Sequence, residues 1–287
     1  TGDWNHRTLD GDGSAGSITS FQFGATSDIP VPGDYDGDGV EDEAVFRPSN
    51  GTWFASLSAG GGGMVLQFGE STDRPVPSDY DGDGRTDAAV FRPSNNTWFA
   101  HPSAGGADLT LVLGASGDRL VPMDYDGDRR ADFAVFTPST GRWRARLSAT
   151  STMLDERFGT STDVVVPGDY DGDGRVDVAV FRPSDGNWYV KPSTGGADLV
   201  IRWGENSDKV PWPLHIGTHS PDRIFRVACM IAQAACLTRR RTNGQSSGNG
   251  HVRGVEDASA LETRGGRACA VGMGKQRRVA DRLRATA

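Results

Sequence analysis

Four carboxylates crowd into nine residues at Asp169, Asp171, Asp173 and Asp177, in the order D-x-D-x-D-G-x-x-D, with Gly174 at the sixth position. Left unneutralised, they repel one another and oppose a compact loop. A hard divalent cation removes the repulsion and takes oxygen ligands in number. Positions 1, 3 and 5 can turn their carboxylates inward around one ion, Gly at position 6 permits the sharp turn, position 7 can offer its carbonyl, and Asp at position 9 closes the shell. The spacing points to Ca²⁺, whose long and flexible coordination suits such a loop better than the strict octahedron of Mg²⁺. An acidic, Gly-rich solvated turn is the plainer reading of any single copy. Near-copies begin at Asp34, Asp79 and Asp124, and the step between successive copies is 45 residues three times over. A period in this range signals a repeat architecture.

The segments around each loop must position it. In the second unit Arg74-Pro75-Val76-Pro77 leads in, and Ala88-Ala89-Val90-Phe91 leads out to a turn at Arg92-Pro93-Ser94-Asn95. Thr97-Trp98-Phe99-Ala100-His101 follows, then a Gly-rich turn, then Leu109-Thr110-Leu111-Val112-Leu113-Gly114. β-Branched and aromatic runs of this length, punctuated by Gly and Pro, read as strands. Four short strands per unit predict an all-β fold, a β-propeller of four-stranded blades. Trp53, Trp98, Trp143 and Trp188 recur in phase, as do Phe46, Phe91, Phe136 and Phe181. A repeated Trp could serve as a ligand platform, but each blade must bury its faces on its neighbours, so these aromatics are assigned to the inter-blade core.

The chain opens mid-repeat, at Thr1, with no initiator Met and no apolar leader, as a mature chain or a fragment would. Asp3-Trp4 matches the Trp strand, and Phe21-Gln22-Phe23-Gly24 matches the strand that closes each unit. Pro211-Trp212-Pro213 and Arg223-Ile224-Phe225-Arg226 match the first two strands of a fifth unit, whose loop keeps only Asp222. Together these pieces predict about five blades, one composite from both termini, which would remove sheet edges. A fragment of a larger ring is the rival.

The propeller is placed at 1–228 and a basic, poorly structured tail at 229–287. Residues 214–287 hold 13 Lys+Arg and 5 Asp+Glu, a net of +8, whereas residues 1–213 hold 17 and 33, a net of −16. The 16 loop Asp account for an acidity of that size. Cys229, Cys236 and Cys269 all lie in the tail, an odd count that matches no disulfide framework or zinc pattern. Arg239-Arg240-Arg241 and Lys275-Gln276-Arg277-Arg278 could bind a polyanion, and nucleic acid is expected as a partner only there. No apolar stretch reaches the length of a membrane span.

With the loops, the closing Phe68-Gly69 and Phe158-Gly159 pairs and the period laid out, residues 1–226 resemble the FG-GAP/VCBS-type repeats of secreted bacterial proteins, and the calcium-binding blades of integrin α-chain propellers. The resemblance implies about four Ca²⁺, each in a hairpin at the rim of a blade. The implied ligands are Asp34, Asp36, Asp38 and Asp42 with the Val40 carbonyl; Asp79, Asp81, Asp83 and Asp87 with that of Arg85; Asp124, Asp126, Asp128 and Asp132 with that of Arg130; and Asp169, Asp171, Asp173 and Asp177 with that of Arg175. Arg129 replaces the sixth-position Gly of the third loop, where φ > 0 is expected, so that site should be the weakest. An EF-hand would need a Glu at position 12. Here that position is Val45, Val90, Val135 or Val180.

No catalytic residues are assigned. The five His do not recur in phase, and Gly244-Gln245-Ser246-Ser247-Gly248 sits in a polar tail without the strand-turn-helix elbow that a nucleophilic Ser needs. The expectation is a non-catalytic, calcium-binding recognition module, secreted or at the cell surface, with a glycan or an extracellular protein as partner. The alternatives are a calcium-stabilised spacer, or an accessory domain of a secreted polysaccharide-active enzyme.

Overall fold

The computed structural model describes residues 3–9, 15–60 and 62–202. Over these the chain is all β, with eighteen strands in chain order. A hairpin of β1 (Asp3–Leu9) and β2 (Ala15–Gln22) comes first. Four sheets of four strands follow, each hydrogen-bonded in sequence order. The first blade is β3 (Ile29–Pro30), β4 (Glu43–Arg47), β5 (Thr52–Ser56) and β6 (Gly63–Gln67). The second is β7 (Arg74–Pro75), β8 (Ala88–Arg92), β9 (Thr97–His101) and β10 (Leu109–Val112). The third is β11 (Arg119–Leu120), β12 (Phe133–Thr137), β13 (Arg142–Arg146) and β14 (Met153–Arg157). The fourth is β15 (Val164–Val165), β16 (Val178–Arg182), β17 (Asn187–Lys191) and β18 (Leu199–Arg202). This is the β-propeller of four-stranded antiparallel blades that the repeat predicts.

The register repeats with the sequence. Phe46 stands opposite Trp53, Phe91 opposite Trp98, Phe136 opposite Trp143 and Phe181 opposite Trp188. Their rings lie 5.0 to 5.6 Å apart. Trp53, Trp98 and Trp143 are fully buried, and their indole N–H groups donate to the carbonyls of Phe68, Leu113 and Phe158 at 2.9 Å. The Trp row is therefore core. The first three Trp faces pack on the next blade: Ala44, Phe46, Trp53 and Ala55 meet Ala88 and Val90, Phe91, Trp98 and Ala100 meet Leu120, Ala131 and Val135, and the third blade meets Val165, Val178 and Val180 of the fourth. The closing Gly69 has φ +110°, and a Cβ there would lie 3.1 Å from Val90, so the last strand can turn against the next blade only without a side chain.

The other end of each blade, away from the acidic loop, is closed by an ion pair. Arg47, Arg92 and Arg182 each give Nε and Nη2 to Asp28, Asp73 and Asp163 at 2.8 to 2.9 Å. The same guanidinium lies over Phe54, Phe99 or Tyr189 of the neighbouring strand. In the third blade Thr137 takes the Arg position and Arg144 takes the aromatic one. Arg144 Nη2 reaches Asp118 at 3.2 Å, and its buried Nε has no partner.

The β1–β2 hairpin sets Trp4 opposite Phe21. Trp53 stands opposite Leu66 in the same way, two residues before the closing Phe-Gly in both cases. Its backbone register is thus that of the third and fourth strands of a blade. The strands expected at 211–213 and 224–226, the boundary at 228 and the tail 229–287 lie outside the described residues.

Candidate metal centres

Each acidic loop joins the first two strands of a blade. An antiparallel bridge closes its mouth, Gly33 with Asp42, Ser78 with Asp87, Met123 with Asp132 and Gly168 with Asp177, which sets position 9 beside position 1. Ligand oxygens of Asp34, Asp36 and Asp42 then lie within 4.8 Å of one another. So do those of Asp79, Asp81 and Asp87, of Asp124, Asp126 and Asp132, and of Asp169, Asp171 and Asp177. Two oxygens bound to one Ca²⁺ at ~2.3–2.6 Å stand at most about 5 Å apart, so each triad fits one such ion. The donor set is all oxygen, which suits a hard cation rather than zinc.

Backbone N–H groups hold these carboxylates. In the first loop Gly37 and Gly39 donate to Asp34 Oδ1 and Oδ2 at 2.6 and 2.9 Å. Tyr35 donates to Asp42 Oδ2 at 2.7 Å. The Tyr35 hydroxyl anchors the loop by donating to the Val31 carbonyl at 2.7 Å. Each carboxylate oxygen has a second lone pair for an ion. Burial raises the carboxyl pKa of Asp79, Asp124 and Asp169, and neighbouring carboxylates add to it. Asp87 and Asp177 are pushed up to about 6 and Asp132 to about 7, by burial first and then by the charges of Asp81, Asp171 and Asp126.

Position 5 of the expected ligand set carries a further contact. Asp38, Asp83, Asp128 and Asp173 stand outside the triads, each taking a serine hydroxyl. Ser58, Ser103, Ser148 and Ser193 donate Oγ–H to them at 2.7 to 2.9 Å. The same serines donate backbone N–H to the position-9 Asp at 2.7 Å. The turn between the third and fourth strands is therefore part of every site. These serines recur 24 residues after the first Asp of each loop, a phase the acidic motif alone does not flag. In the fourth blade Thr194 adds a hydroxyl, donating to Asp171 Oδ2 at 2.7 Å. At position 7, Val40, Arg85, Arg130 and Arg175 donate N–H to the position-5 Asp at 2.8 Å.

Arg129 has φ +73°, as expected of the sixth position, and its N–H still reaches Asp124 Oδ2 at 2.8 Å. The conformation costs a non-Gly residue about 1–2 kcal/mol. Arg129→Gly is expected to tighten Ca²⁺ binding at the third loop several-fold, measured by calorimetric titration. Unchanged affinity would count against the strain.

Successive loops also touch. The N–H of Thr86 donates to the Asp34 carbonyl at 2.6 Å, that of Ala131 to Asp79 at 2.6 Å and that of Val176 to Asp124 at 2.8 Å. Arg85 lies across Gly37, Arg130 across Gly82 and Arg175 across Gly127. Thr86 Oγ1 is buried at this junction without a partner, packed on Gly33. An unsatisfied buried hydroxyl costs about 1–3 kcal/mol. Thr86→Val, the residue type already present as Val176, is expected to raise the midpoint of chemical denaturation, and a lowered midpoint would rule this out.

The fold and these loops define a class, a β-propeller with one acidic loop in each of the four described blades. No family model matches the chain, and no curated protein matches it. Among solved structures it is similar to a catalytically inactive virginiamycin B lyase from Staphylococcus aureus with quinupristin, at 8% identity and TM-score 0.45, over 70% of this chain and 71% of that one. It is also similar to a streptogramin B lyase, at 12% identity and TM-score 0.44, over 69% and 61%, and to BBS1N in complex with ARL6DN, at 12% and 0.38, over 63% and 55%.

Proposed function

We propose that this chain is a calcium-binding propeller of the FG-GAP/VCBS type, acting as a non-catalytic recognition module, secreted or at the cell surface. The observation that carries the reading is the fourfold recurrence of one carboxylate triad, its position-9 Asp buried every time, at the same place in each of the four described blades. A lone acidic cluster is common on protein surfaces. Four copies, each held by the same backbone N–H groups and the same distant serine, are an arrangement that stores repulsion unless a cation relieves it.

The ions in this reading are structural. The triad carboxylates are committed to loop N–H groups and to metal, which leaves them unsuited to general acid or base work. One face of the third strand varies between blades while the triads do not: β13 carries Arg142, Arg144 and Arg146 there, where β5 carries Thr52, Phe54 and Ser56. Variable surface on a constant scaffold is where recognition resides. A glycan or a protein surface outside the cell is the proposed partner. No helix among the described residues is long and apolar enough to cross a membrane.

Calorimetric titration of metal-stripped protein is expected to give about four Ca²⁺ per chain, at Kd values of roughly 10⁻⁴–10⁻³ M. A glycan array probed with and without EDTA then tests recognition. Metal-dependent binding to a defined glycan class supports glycan recognition. Calcium binding with no glycan retained would turn the search to protein partners and to the spacer alternative.

A further inference from the structure

The contacts between successive loops form a continuous relay. Asp42 Oδ2 accepts the Tyr35 N–H at 2.7 Å. The carbonyl on the other side of that peptide group, Asp34 C=O, accepts the Thr86 N–H at 2.6 Å. The carbonyl paired with Thr86 N–H is that of Arg85, the position-7 residue of the second loop. A trans peptide points its C=O and N–H in opposite directions. Because Thr86 N–H faces the first loop, Arg85 C=O faces away from it. Two peptide groups in series thus join a triad carboxylate of one loop to the position-7 carbonyl of the next.

The relay occurs at all three junctions. Asp87 Oδ2 accepts Tyr80 N–H at 2.7 Å and Asp79 C=O accepts Ala131 N–H at 2.6 Å. Asp132 Oδ2 accepts Tyr125 N–H at 2.8 Å and Asp124 C=O accepts Val176 N–H at 2.8 Å. Thr86 and Asp87 are fixed at once by this junction and by their own loop, since Asp87 N–H donates to the Ser78 carbonyl at 2.8 Å. The Arg that precedes each donor covers the fourth-position Gly of the preceding loop. Gly172 of the last loop has open space there among the described residues.

We propose that these paired peptide groups couple each ion site to the next, so that the four sites load as a linked series along the chain rather than independently. The proposal rests on the calcium reading above. A cation drawing on the Arg85 carbonyl polarises that peptide and strengthens its N–H as a donor to Asp34 C=O. That bond in turn strengthens Tyr35 N–H as a donor to Asp42, since hydrogen bonds in a chain reinforce one another. It also fixes the position of Asp34, the first residue of the preceding triad. Coupling of this kind is reciprocal, so a filled first site tightens the second equally. Nearest neighbours feel it and remote sites do not.

The test follows the amide resonances of Gly37, Gly82, Gly127 and Gly172, one per loop, while CaCl₂ alone is titrated into the full metal-stripped chain. Asp81→Asn disables the second site. The first and third sites are then expected to weaken by about five-fold or more, with the fourth unchanged. Thr86→Pro removes the N–H of the first junction, and is expected to leave four sites with the first no longer tied to the second. Should that variant fail to fold, hydrogen exchange in calcium-saturated Asp81→Asn protein gives the same information. Thr86 N–H is expected to exchange at least about five-fold faster than in the parent. If the first and third sites titrate in Asp81→Asn as in the parent, the coupling is overturned while the calcium reading stands. If no loop glycine shifts with Ca²⁺, both fall together.

Discussion

Stripping Ca²⁺ with EDTA is expected to lower the melting temperature of the full chain by roughly 20–40 °C. A ligand that binds only the folded state at ~100 times its Kd adds about 2.7 kcal/mol. Four such sites sum to roughly 11 kcal/mol, which is comparable to the whole net stability of a typical domain, about 5–15 kcal/mol. For a body of this size each kcal/mol moves the melting point by about 2–4 °C. Two features of the loops make the dependence strong. The triads sit at the mouths of the hairpins that join the first two strands of each blade, so their repulsion acts on the sheet itself. Successive loops are hydrogen-bonded across the blade junctions, so a loosened loop disturbs the next blade as well. A scanning-calorimetry shift of only a few degrees on chelation would mean that the loops stand without metal, held by their backbone N–H groups and serines alone.

Much of this could be read from the sequence because the repeat does the alignment. Once the Asp motif sets the phase, Trp53 and its three counterparts can be recognised as core. The strands around them follow from short apolar runs between Gly and Pro. What could not be read was which distant groups meet the loop. Ser58 contacts Asp38 across the blade through a turn 20 residues away, and nothing in the acidic stretch requires a hydroxyl there. Four carboxylates in one loop share one evident use, and the serine hydroxyl that each position-5 Asp also accepts depends on where the neighbouring turn falls. The Thr86 junction is less legible still, since its hydrogen bonds join only main-chain atoms of two blades, and the Arg85, Arg130 and Arg175 side chains that lie across it recur in phase without saying what they cover. Ring closure depends on residues 211–226, outside the described structure.

The ion pairs at the far end of the blades carry the second large effect. Arg182→Met is expected to cost about 3–5 kcal/mol, because breaking a buried pair strands the remaining charge. Asp163 is fully buried, while Arg182 keeps about a quarter of its side chain in contact with solvent. Removing the guanidinium therefore leaves a buried carboxylate whose remaining hydrogen bond comes from the Thr160 N–H at 2.9 Å, with the Arg119 guanidinium on its backbone carbonyl at 2.8 Å. The loss should appear as a lowered denaturation midpoint with an unchanged slope. Adding Asp163→Asn should recover most of it, since the amide oxygen still accepts the Thr160 N–H and no charge is left buried. The third blade supplies a control within the same molecule. Arg144 reaches Asp118 by a single 3.2 Å contact and leaves its Nε unpaired, so Arg144→Met should cost less than Arg182→Met. Rebuilding the common pattern with Thr137→Arg and Arg144→Phe together should stabilise the protein, whereas either change alone crowds or empties the junction. If Arg182→Met costs no more than an ordinary surface change, about 0.5 kcal/mol, the pair is ornamental and the blades are held by their aromatic core. If the double change in the third blade destabilises, Arg144 has a use there that the other blades lack.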